Sequence, residues 1–297
     1  MMRALVVNGD DFGLAPGVNA GILDAHVRGV LTSASLFANA EATADAIAIA
    51  KRTPALGVGC HLALVDGAPV VASSELPTLA PGGRFRATWG AFVRDALVGR
   101  IRFAEIEREL AAQIERLLAD GVQLTHLDSH KHVHAYPPVF AIVARLARAY
   151  AVPTLRVPCE APAIGVVRRY FRMPGARRQA LENLALAPWS ARDRRLLDAC
   201  GLPPAPAFFG RVLTSLFTRE SLDALLDSVP EGASELMTHP GYPDAVLDGV
   251  RTRLRAERAK EVELLIDPAT HAIVERAGVV LTRHDRRPRT AREHANA

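Results

Sequence analysis

The chain has 297 residues, of which 49% are hydrophobic and 23% are charged, a composition typical of a globular protein with a large buried core. The net charge of +4 is mildly basic, and aromatic residues make up only 5%. Because no helix-turn-helix or RNA-binding motif accompanies this charge, the sequence argues against nucleic acid as a partner.

Two features predict a cytoplasmic location. No segment approaches the roughly 18 consecutive apolar residues of a membrane span, and the first apolar run, Ala4 to Val7, is too short for a signal peptide. The three cysteines, Cys60, Cys159 and Cys200, are widely spaced and form no CxxC motif, as expected for a protein in a reducing compartment.

Apolar runs that indicate buried strands alternate along the chain with amphipathic helical stretches. The predicted strands are 4–7, 57–64, 124–128, 154–158, 234–239 and 278–282. The predicted helices are 18–29, 103–121 and 137–150, the last of which begins at prolines that suit a first helical turn. This alternation predicts βαβ units, a parallel sheet and a single α/β domain.

Three segments depart from the alternation. Residues 67–91 are rich in Pro, Gly and Ser, and predict a long loop that is either a lid over a site or without a role there. Residues 166–195 are rich in arginine, which indicates a solvated helix face or a surface for an anionic partner such as a membrane. The basic segment 284–297 lacks periodicity and is expected to be a disordered tail.

The stretch THLDSHKHVH, residues 125–134, holds four of the ten histidines of the chain. A strand here would point His126, Asp128 and His130 to one face. The following histidines would then lie at the carboxyl end of the strand, where parallel α/β folds build their sites. The cluster therefore predicts a metal or acid–base site, although any one of these histidines alone is as readily a hydrogen-bonded loop residue.

Adjacent aspartates, Asp10 and Asp11, follow the first predicted strand in VVNGDDFG. Neighbouring carboxylates repel each other unless a positive group compensates them, and a divalent cation is one such group. One aspartate can then bind the metal while the other, directed elsewhere by the turn, serves as a base. The alternative interpretation is an Asx-turn followed by a helix cap.

Histidines near two other strands extend the candidate site. His61 lies in the apolar stretch GVGCHLAL, where a lone histidine is often only a packed core residue. An aspartate and two histidines from three strand ends nevertheless match a metal site that leaves positions open for water and substrate. His239, before the Pro-Gly turn of MTHPGYP, can protonate a leaving group, and Arg156 can hold an acidic residue ionised.

Taken in order, NGDDFGLAPGVNAGI, LTSASLFAN, GCHLAL, THLDSHKHVH and ELMTHPGY resemble the YdjC-like carbohydrate deacetylases. This family includes chito-oligosaccharide deacetylases and the deacetylase associated with hopanoid biosynthesis. The resemblance implies one domain over residues 1–283, with a distorted (β/α) barrel of parallel strands, a metal site at the strand carboxyl ends, and a homodimer. It also implies a hydrolase that removes the N-acetyl group from N-acetylglucosamine units with one divalent metal ion.

The resemblance assigns roles to six residues, three further residues of the cluster are candidates beside them, and His126 is expected to be structural. The metal ligands are Asp11, His61 and His130; the base, the acid and the arginine that orients the base are Asp10, His239 and Arg156; residues expected to support the ligands or contact the substrate are Asp128, His132 and His134. Trp89, Phe85 and Tyr242 are candidates to stack on sugar rings.

The substrate and the metal stay open at this stage. Lys131 stands where chito-oligosaccharide enzymes often carry histidine, so both a chito-oligosaccharide and an amino-sugar glycolipid, reached through peripheral membrane contact, are candidates. Two imidazoles favour zinc, whereas magnesium prefers oxygen ligands. The alternative functions are another metal-dependent hydrolase, such as a phosphoesterase or amidohydrolase, and a sugar-binding protein without turnover. The presence of both Asp10 and His239 argues against the last.

Overall fold

The computed structural model describes residues 2–160 and 175–287, and within these ranges parallel strands form a single sheet. The strands are β1 (Arg3–Phe12), β2 (Ser33–Leu36), β3 (Gly57–Leu62), β4 (Leu124–Ser129), β5 (Ala207–Phe209), β6 (Gly232–Thr238) and β7 (Val279–Leu281). Their order across the sheet is β4-β3-β2-β1-β6-β5, and β7 pairs with the first residues of β1. β1 is central and almost wholly buried, which explains its apolar sequence.

Helices supply the crossovers that parallel strands require. They are α1 (Pro16–Val27), α2 (Thr43–Arg52), α3 (Trp89–Leu97), α4 (Phe103–Ala119), α5 (Pro137–Ala149), α6 (Ala176–Ala199), α7 (Arg219–Asp227), α8 (Ala245–Gly249), α9 (Ala256–Ile266) and α10 (Pro268–Arg276). The helices predicted from the sequence correspond to α1, α4 and α5, with ends that differ by one or two residues. None of the helices among the described residues is long and apolar enough to cross a membrane.

The sheet curls into a distorted barrel that closes through single bridges. Leu155 pairs with Leu127 of β4, and Glu160 pairs with Phe208 of β5. Residues 155–160 therefore join the two edge strands of the sheet. The α/β class and the distorted parallel barrel predicted from the sequence are confirmed.

The prediction of a full strand at 154–158 is wrong, because only Leu155 pairs there. Proline has no N–H for a strand ladder, and Pro153 and Pro158 bracket this segment. Two strands of the structure, β2 and β5, were not predicted. β2 consists of the small residues SASL, and β5 has only three residues, so neither shows a distinct apolar pattern.

The predicted loop 67–91 contains two short 3-10 turns and leads into α3 at Trp89. Two buried carboxylates of α4 hold it in place. Glu109 accepts the Val70 N–H at 2.9 Å, and Glu105 accepts the Thr78 N–H at 2.8 Å. The loop is thus anchored to the barrel by buried hydrogen bonds.

The arginine-rich segment and the tail are described only in part. Residues 166–174 lie outside the described ranges, and the remaining arginines of that segment lie on α6. His284, the first residue of the predicted tail, is 1% exposed, and its ring lies 4.0 Å, centroid to centroid, from that of His126. The domain boundary at residue 283 stays a prediction. Residues 288–297 of the predicted tail lie outside the described ranges.

We predict that Gly21→Ala lowers the free energy of unfolding by about 1–3 kcal/mol, the usual cost of overpacking. A Cβ at position 21 of α1 would lie 2.4 Å from the Cα of Gly241, in the loop after β6. Urea unfolding measures the change. Gly90→Ala in α3 is the control, because its Cβ would meet nothing within 4 Å. Equal stability of the Gly21→Ala variant and the wild type would contradict this close approach.

Candidate metal centre

Asp10 and Asp11 point in different directions because the end of β1 is irregular. The pairing of β1 with β2 shifts between Gly9 and Phe12, and Asp11 has a φ of 69°, which residues with a side chain seldom adopt. Asp10 consequently faces Arg156, whereas Asp11 turns away from it. The two carboxylates are thus aimed differently, as predicted, but both lie within β1, so the irregular strand end and not a following turn directs them.

Asp11 meets two histidines from other strands of the sheet. Its Oδ1 lies 3.1 Å from Nδ1 of His130, which follows β4, and 3.5 Å from Nε2 of His61 in β3. These donor atoms all lie within 4.8 Å of one another. One carboxylate oxygen and two imidazole nitrogens fit a single divalent ion, with room left for water or substrate.

A second group within the same distance consists of Asp10, His61 and Asp128, but its oxygens are already engaged. Arg156 donates to both oxygens of Asp10, and its Nη1 lies 2.6 Å from Oδ2 of Asp128. The first group, which keeps Oδ1 of Asp11 facing the two histidines, is therefore the better candidate for the metal centre.

Asp128 orients His61. Its Oδ1 lies 2.8 Å from Nδ1 of His61, which leaves Nε2 directed at Asp11. A carboxylate behind a metal-binding histidine sets its tautomer and ring orientation. Burial acts to lower the pKa of His61, but Asp128 and Asp11 outweigh it and raise this pKa to about 10. His61 is therefore protonated in the metal-free protein, and Nε2 has to lose its proton before it binds a metal.

Arg156 is a fully buried cation that contacts three carboxylates. Its terminal nitrogens donate to Asp10 at 2.7 and 2.8 Å, and it donates to Glu235 at 2.6 and 2.9 Å. The third carboxylate is that of Asp128. Burial would raise the pKa of Asp10, but Arg156 lowers it to about 2. Asp10 thus stays ionised over the whole neutral range.

Of the other histidines of the cluster, His126 and His134 are buried, whereas His132 is partly exposed. His134 uses Nε2 to contact the carbonyl of Arg156 at 3.0 Å, and His126 contacts Oγ of Ser35 at 3.0 Å. These contacts hold both side chains in the interior, and the supporting role of His134 and the structural role of His126 stay predictions. His132 lines the cleft above the centre, and its Nδ1 has no hydrogen-bond partner among the described residues.

The strand alternation holds for only part of the cluster. His126 and Asp128 share a face, since both contact Ser35. β4 ends at Ser129, however, and His130 opens a 3-10 turn, so the prediction that alternation directs His130 is wrong. His130 reaches Asp11 through the geometry of the turn.

His239 lies after β6 and lines the same cleft as Asp10 and Asp11. Its backbone N–H donates to Oε2 of Glu261 at 2.6 Å, and its Nδ1 has no partner within the described part of the chain. Burial lowers the pKa of His239 to about 4, although Asp10 and Asp11 act in the opposite direction. At neutral pH the imidazole of His239 is therefore neutral.

Sequence reasoning missed Arg258 and Glu261, both on α9. Arg258 donates to Oδ2 of Asp11 at 2.5 Å, and Glu261 accepts the His239 N–H. Burial opposes ionisation of Asp11, yet Arg258 and the two histidines hold its pKa well below the usual range. The available signal was helical spacing, which places both residues on the face that buries Val262.

A cleft of about 770 Å³ opens above the centre, large enough for a sugar. Its walls are rich in arginine, although Arg178 pairs with Glu182 of the same lining at 2.8 Å and Arg255 pairs with Asp248 at 3.0 Å. Besides the candidate residues Asp10, Asp11, His61, His130, His132 and His239, the lining includes Trp89, Lys131, Arg178, Arg211, Arg251, Arg253 and Arg255. Of the three aromatic candidates only Trp89 faces this cleft; Phe85 packs in the core, and Tyr242 donates to Asp24.

A second cavity of about 620 Å³ adjoins the first, and the two share His130, Val250 and Arg251. Apolar side chains, among them Phe37 and Val65, form part of its lining. The candidate ligand His130 thus stands between a cationic cleft and a more apolar one.

Fold and site together define a parallel α/β barrel with an open Asp–His–His donor set at the strand carboxyl ends. The YdjC-like protein family model matches residues 4–276, and the chain belongs to this family. The resemblance noted in the sequence motifs is therefore confirmed over nearly the whole chain.

The chain is similar to several named deacetylases. A carbohydrate deacetylase of Brevibacillus brevis is 37% identical, covering 88% of this chain and 90% of its own length. A carbohydrate deacetylase of Geobacillus stearothermophilus is 36% identical, covering 95% and 96%. A chitooligosaccharide deacetylase of Salmonella schwarzengrund is 32% identical, covering 94% and 96%.

A solved structure supports the fold. The protein is from Enterococcus faecalis V583 and is assigned provisionally to cellobiose-phosphate cleavage. It superimposes with a TM-score of 0.73 at 24% identity, over 96% of this chain and 98% of its own.

We predict that Arg156→Met lowers the free energy of unfolding at pH 7 by about 3–5 kcal/mol, because it leaves buried carboxylates without their cation. The folded-state pKa of Asp10, about 2, lies below its ordinary 3.8, so this ion pair stabilises the wild type above about pH 4 and is lost toward pH 2. The difference between wild type and variant should therefore shrink as the pH falls.

Urea unfolding at several pH values measures that difference. Arg145→Met is the matched control, because Arg145 pairs with Glu107 at the surface, at 3.0 Å, and should cost no more than about 1 kcal/mol. If the loss of unfolding free energy in Arg156→Met does not change with pH, packing and not charge is responsible for it.

Proposed function

We propose that this protein is a metal-dependent carbohydrate N-deacetylase that releases acetate from an N-acetylglucosamine-type sugar. The observation that carries the proposal is the position of Asp10 and His239 in one cleft with the donor set of Asp11, His61 and His130. A binding site alone needs neither a base nor an acid beside its metal ligands. Relatives named carbohydrate deacetylase support the reaction type.

The donor set fits one divalent ion, which when bound would polarise the acetamide carbonyl and make water more acidic. Zinc suits two imidazoles and one carboxylate better than magnesium, which prefers oxygen ligands. His61 would bind through Nε2, since Asp128 engages its other nitrogen. His130 would bind through Nδ1, which already faces Asp11.

Asp10 is the base in this proposal. Arg156 keeps it ionised, so it is available to accept a proton from the water that attacks the carbonyl carbon. The same arginine fixes the orientation of its carboxylate through two hydrogen bonds.

His239 is the acid, but it begins the reaction neutral. With a pKa of about 4 it carries no extra proton at neutral pH, so it has to gain one during the reaction. In this proposal the proton that the attacking water releases, first accepted by Asp10, is the source of the proton that His239, in the same cleft, gives to the departing amine.

The cationic wall of the cleft favours a substrate with an anionic group beside its amino sugar. Arg178, on the arginine-rich α6, and Arg251, Arg253 and Arg255, before α9, all line the cleft. A soluble oligosaccharide and a glycolipid both remain candidates, and Trp89 is placed to contact a sugar ring. A homodimer, peripheral membrane contact and a cytoplasmic location stay predictions.

We predict that His130→Ala weakens the binding of Zn²⁺ to chelator-treated protein by about 100-fold or more, because one of three ligands is lost. Isothermal calorimetry measures the affinity. His271→Ala, on the exposed surface of α10, is the control and should bind zinc as the wild type does. Wild-type affinity in His130→Ala would contradict the ligand set.

We predict that Asp10→Asn lowers acetate release by about 10²–10⁴-fold, the usual contribution of a general base, while zinc affinity changes little. Acetate is measured with N-acetylated chito-oligosaccharides and with amino-sugar glycolipids in detergent, each with zinc or magnesium added. Release of phosphate but not acetate from phosphorylated sugars would favour a phosphoesterase. Zinc binding by wild-type protein without turnover of any of these substrates would favour a binding protein.

A further inference from the structure

We propose that helix α9 positions the active centre, with Arg258 fixing the metal-binding carboxylate of Asp11 and Glu261 fixing the loop that carries His239. This inference deepens the proposed function and rests on it for the roles of Asp11 and His239. Arg258 and Glu261 are positioning residues, since each acts through another residue.

Arg258 binds Oδ2 of Asp11 and leaves Oδ1 to the two histidines. It is 1% exposed, its Nη2 donates to Oδ2 of Asp11 at 2.5 Å, and its Nε donates to the Leu254 carbonyl at 3.2 Å. The guanidinium is thus tied to the segment just before α9 as well as to Asp11. A carboxylate held at one oxygen cannot rotate freely, so Oδ1 stays directed at His61 and His130.

Removing Arg258 has two opposing effects on metal binding. Loss of a nearby positive charge favours a cation at Asp11, but loss of the hydrogen bond lets the carboxylate turn away from the two histidines. Partners that orient metal ligands typically contribute 10–100-fold to affinity or activity. We therefore expect the loss of orientation to outweigh the gain in charge.

Glu261 acts on the other side of the centre. It is 4% exposed, and its Oε2 accepts the backbone N–H of His239 at 2.6 Å. Two residues later the N–H of Gly241 donates to the carbonyl of Arg258 at 3.3 Å. The loop after β6 is therefore fastened to α9 at two points, and the first of them is the backbone of His239 itself.

The spacing of the two residues explains how one helix serves both sides. Positions 258 and 261 are three apart, so they lie on one face, which also buries Val262 and Leu265. Near the carboxyl end of α9, the carbonyl of Leu265 accepts the N–H of Val30 at 3.1 Å. This bond attaches that end of the helix to the loop that follows α1. A helix anchored in this way can hold a metal ligand and the acid in a constant relation.

The test uses Arg258→Met, Arg258→Lys, Glu261→Met and Glu261→Gln in the full chain, with Arg145→Met as the control for loss of a surface arginine. Zinc affinity of chelator-treated protein is measured by calorimetry, kcat and KM by acetate release, and folding by urea unfolding. Zinc affinity requires no turnover, so the arm that tests Arg258 stands even if the proposed reaction is wrong.

Arg258→Met should bind zinc about 10–100-fold more weakly than wild type, and Arg258→Lys, which keeps one donor, should recover part of the loss. Glu261→Met should change zinc affinity by no more than about 3-fold but lower kcat by about 10-fold, with KM nearly constant. Glu261→Gln should restore kcat, because its amide oxygen accepts the same hydrogen bond.

Three results would overturn the proposal. Wild-type zinc affinity in folded Arg258→Met would remove Arg258 from the centre, and wild-type kcat in folded Glu261→Met would do the same for Glu261. Failure of the conservative variants, Arg258→Lys and Glu261→Gln, to fold would assign both side chains to stability alone.

Discussion

The buried guanidinium of Arg156 is the interaction on which the centre depends. Asp10, Asp128 and Glu235 come from three different strands and are all buried, so without a cation between them their charges could not be held in the interior. Arg156 lies in the segment that closes the barrel between β4 and β5. Closure of the barrel and assembly of the site therefore require each other.

A second arginine separates the roles of the adjacent aspartates. Asp10 pairs with Arg156 and Asp11 with Arg258, so each carboxylate has its own cation on its own side of β1. A regular strand would simply place the two side chains on opposite faces of the sheet. The irregular end of β1 instead directs Asp10 to Arg156 and Asp11 to Arg258. One aspartate thus faces the histidines while its neighbour stays ionised close by.

The sequence could predict the candidate residues of the centre because they lie in short motifs at strand ends. Asp10 and Asp11 are among the last residues of β1, His130 directly follows β4, and parallel strands bring their carboxyl ends to one edge. The sequence could not predict the partners of Asp11 and His239 on α9, which are separated from β1 by almost the whole chain. The burial of Arg258 was also difficult to predict, because its neighbours in the sequence are charged as well. In such a stretch only helical spacing distinguishes a buried position from an exposed one. β2, half of it serine, and β5, only three residues long, could likewise be recognised only from their pairing in the sheet.

The floor and the walls of the cleft come from different parts of the chain. Its floor includes the motif residues at the strand ends, to which the proposed function assigns the reaction, whereas its walls include residues of α6 and of the segment before α9. Those walls carry Arg178, Arg253 and Arg255, and none of the motifs on the floor requires them. In the proposed function, one floor suited to an acetamide could serve different sugars, and the charge of the walls would select the group beside the acetamide. Arginines supply much of that wall, which is the reason for proposing an anionic group next to the amino sugar of the substrate.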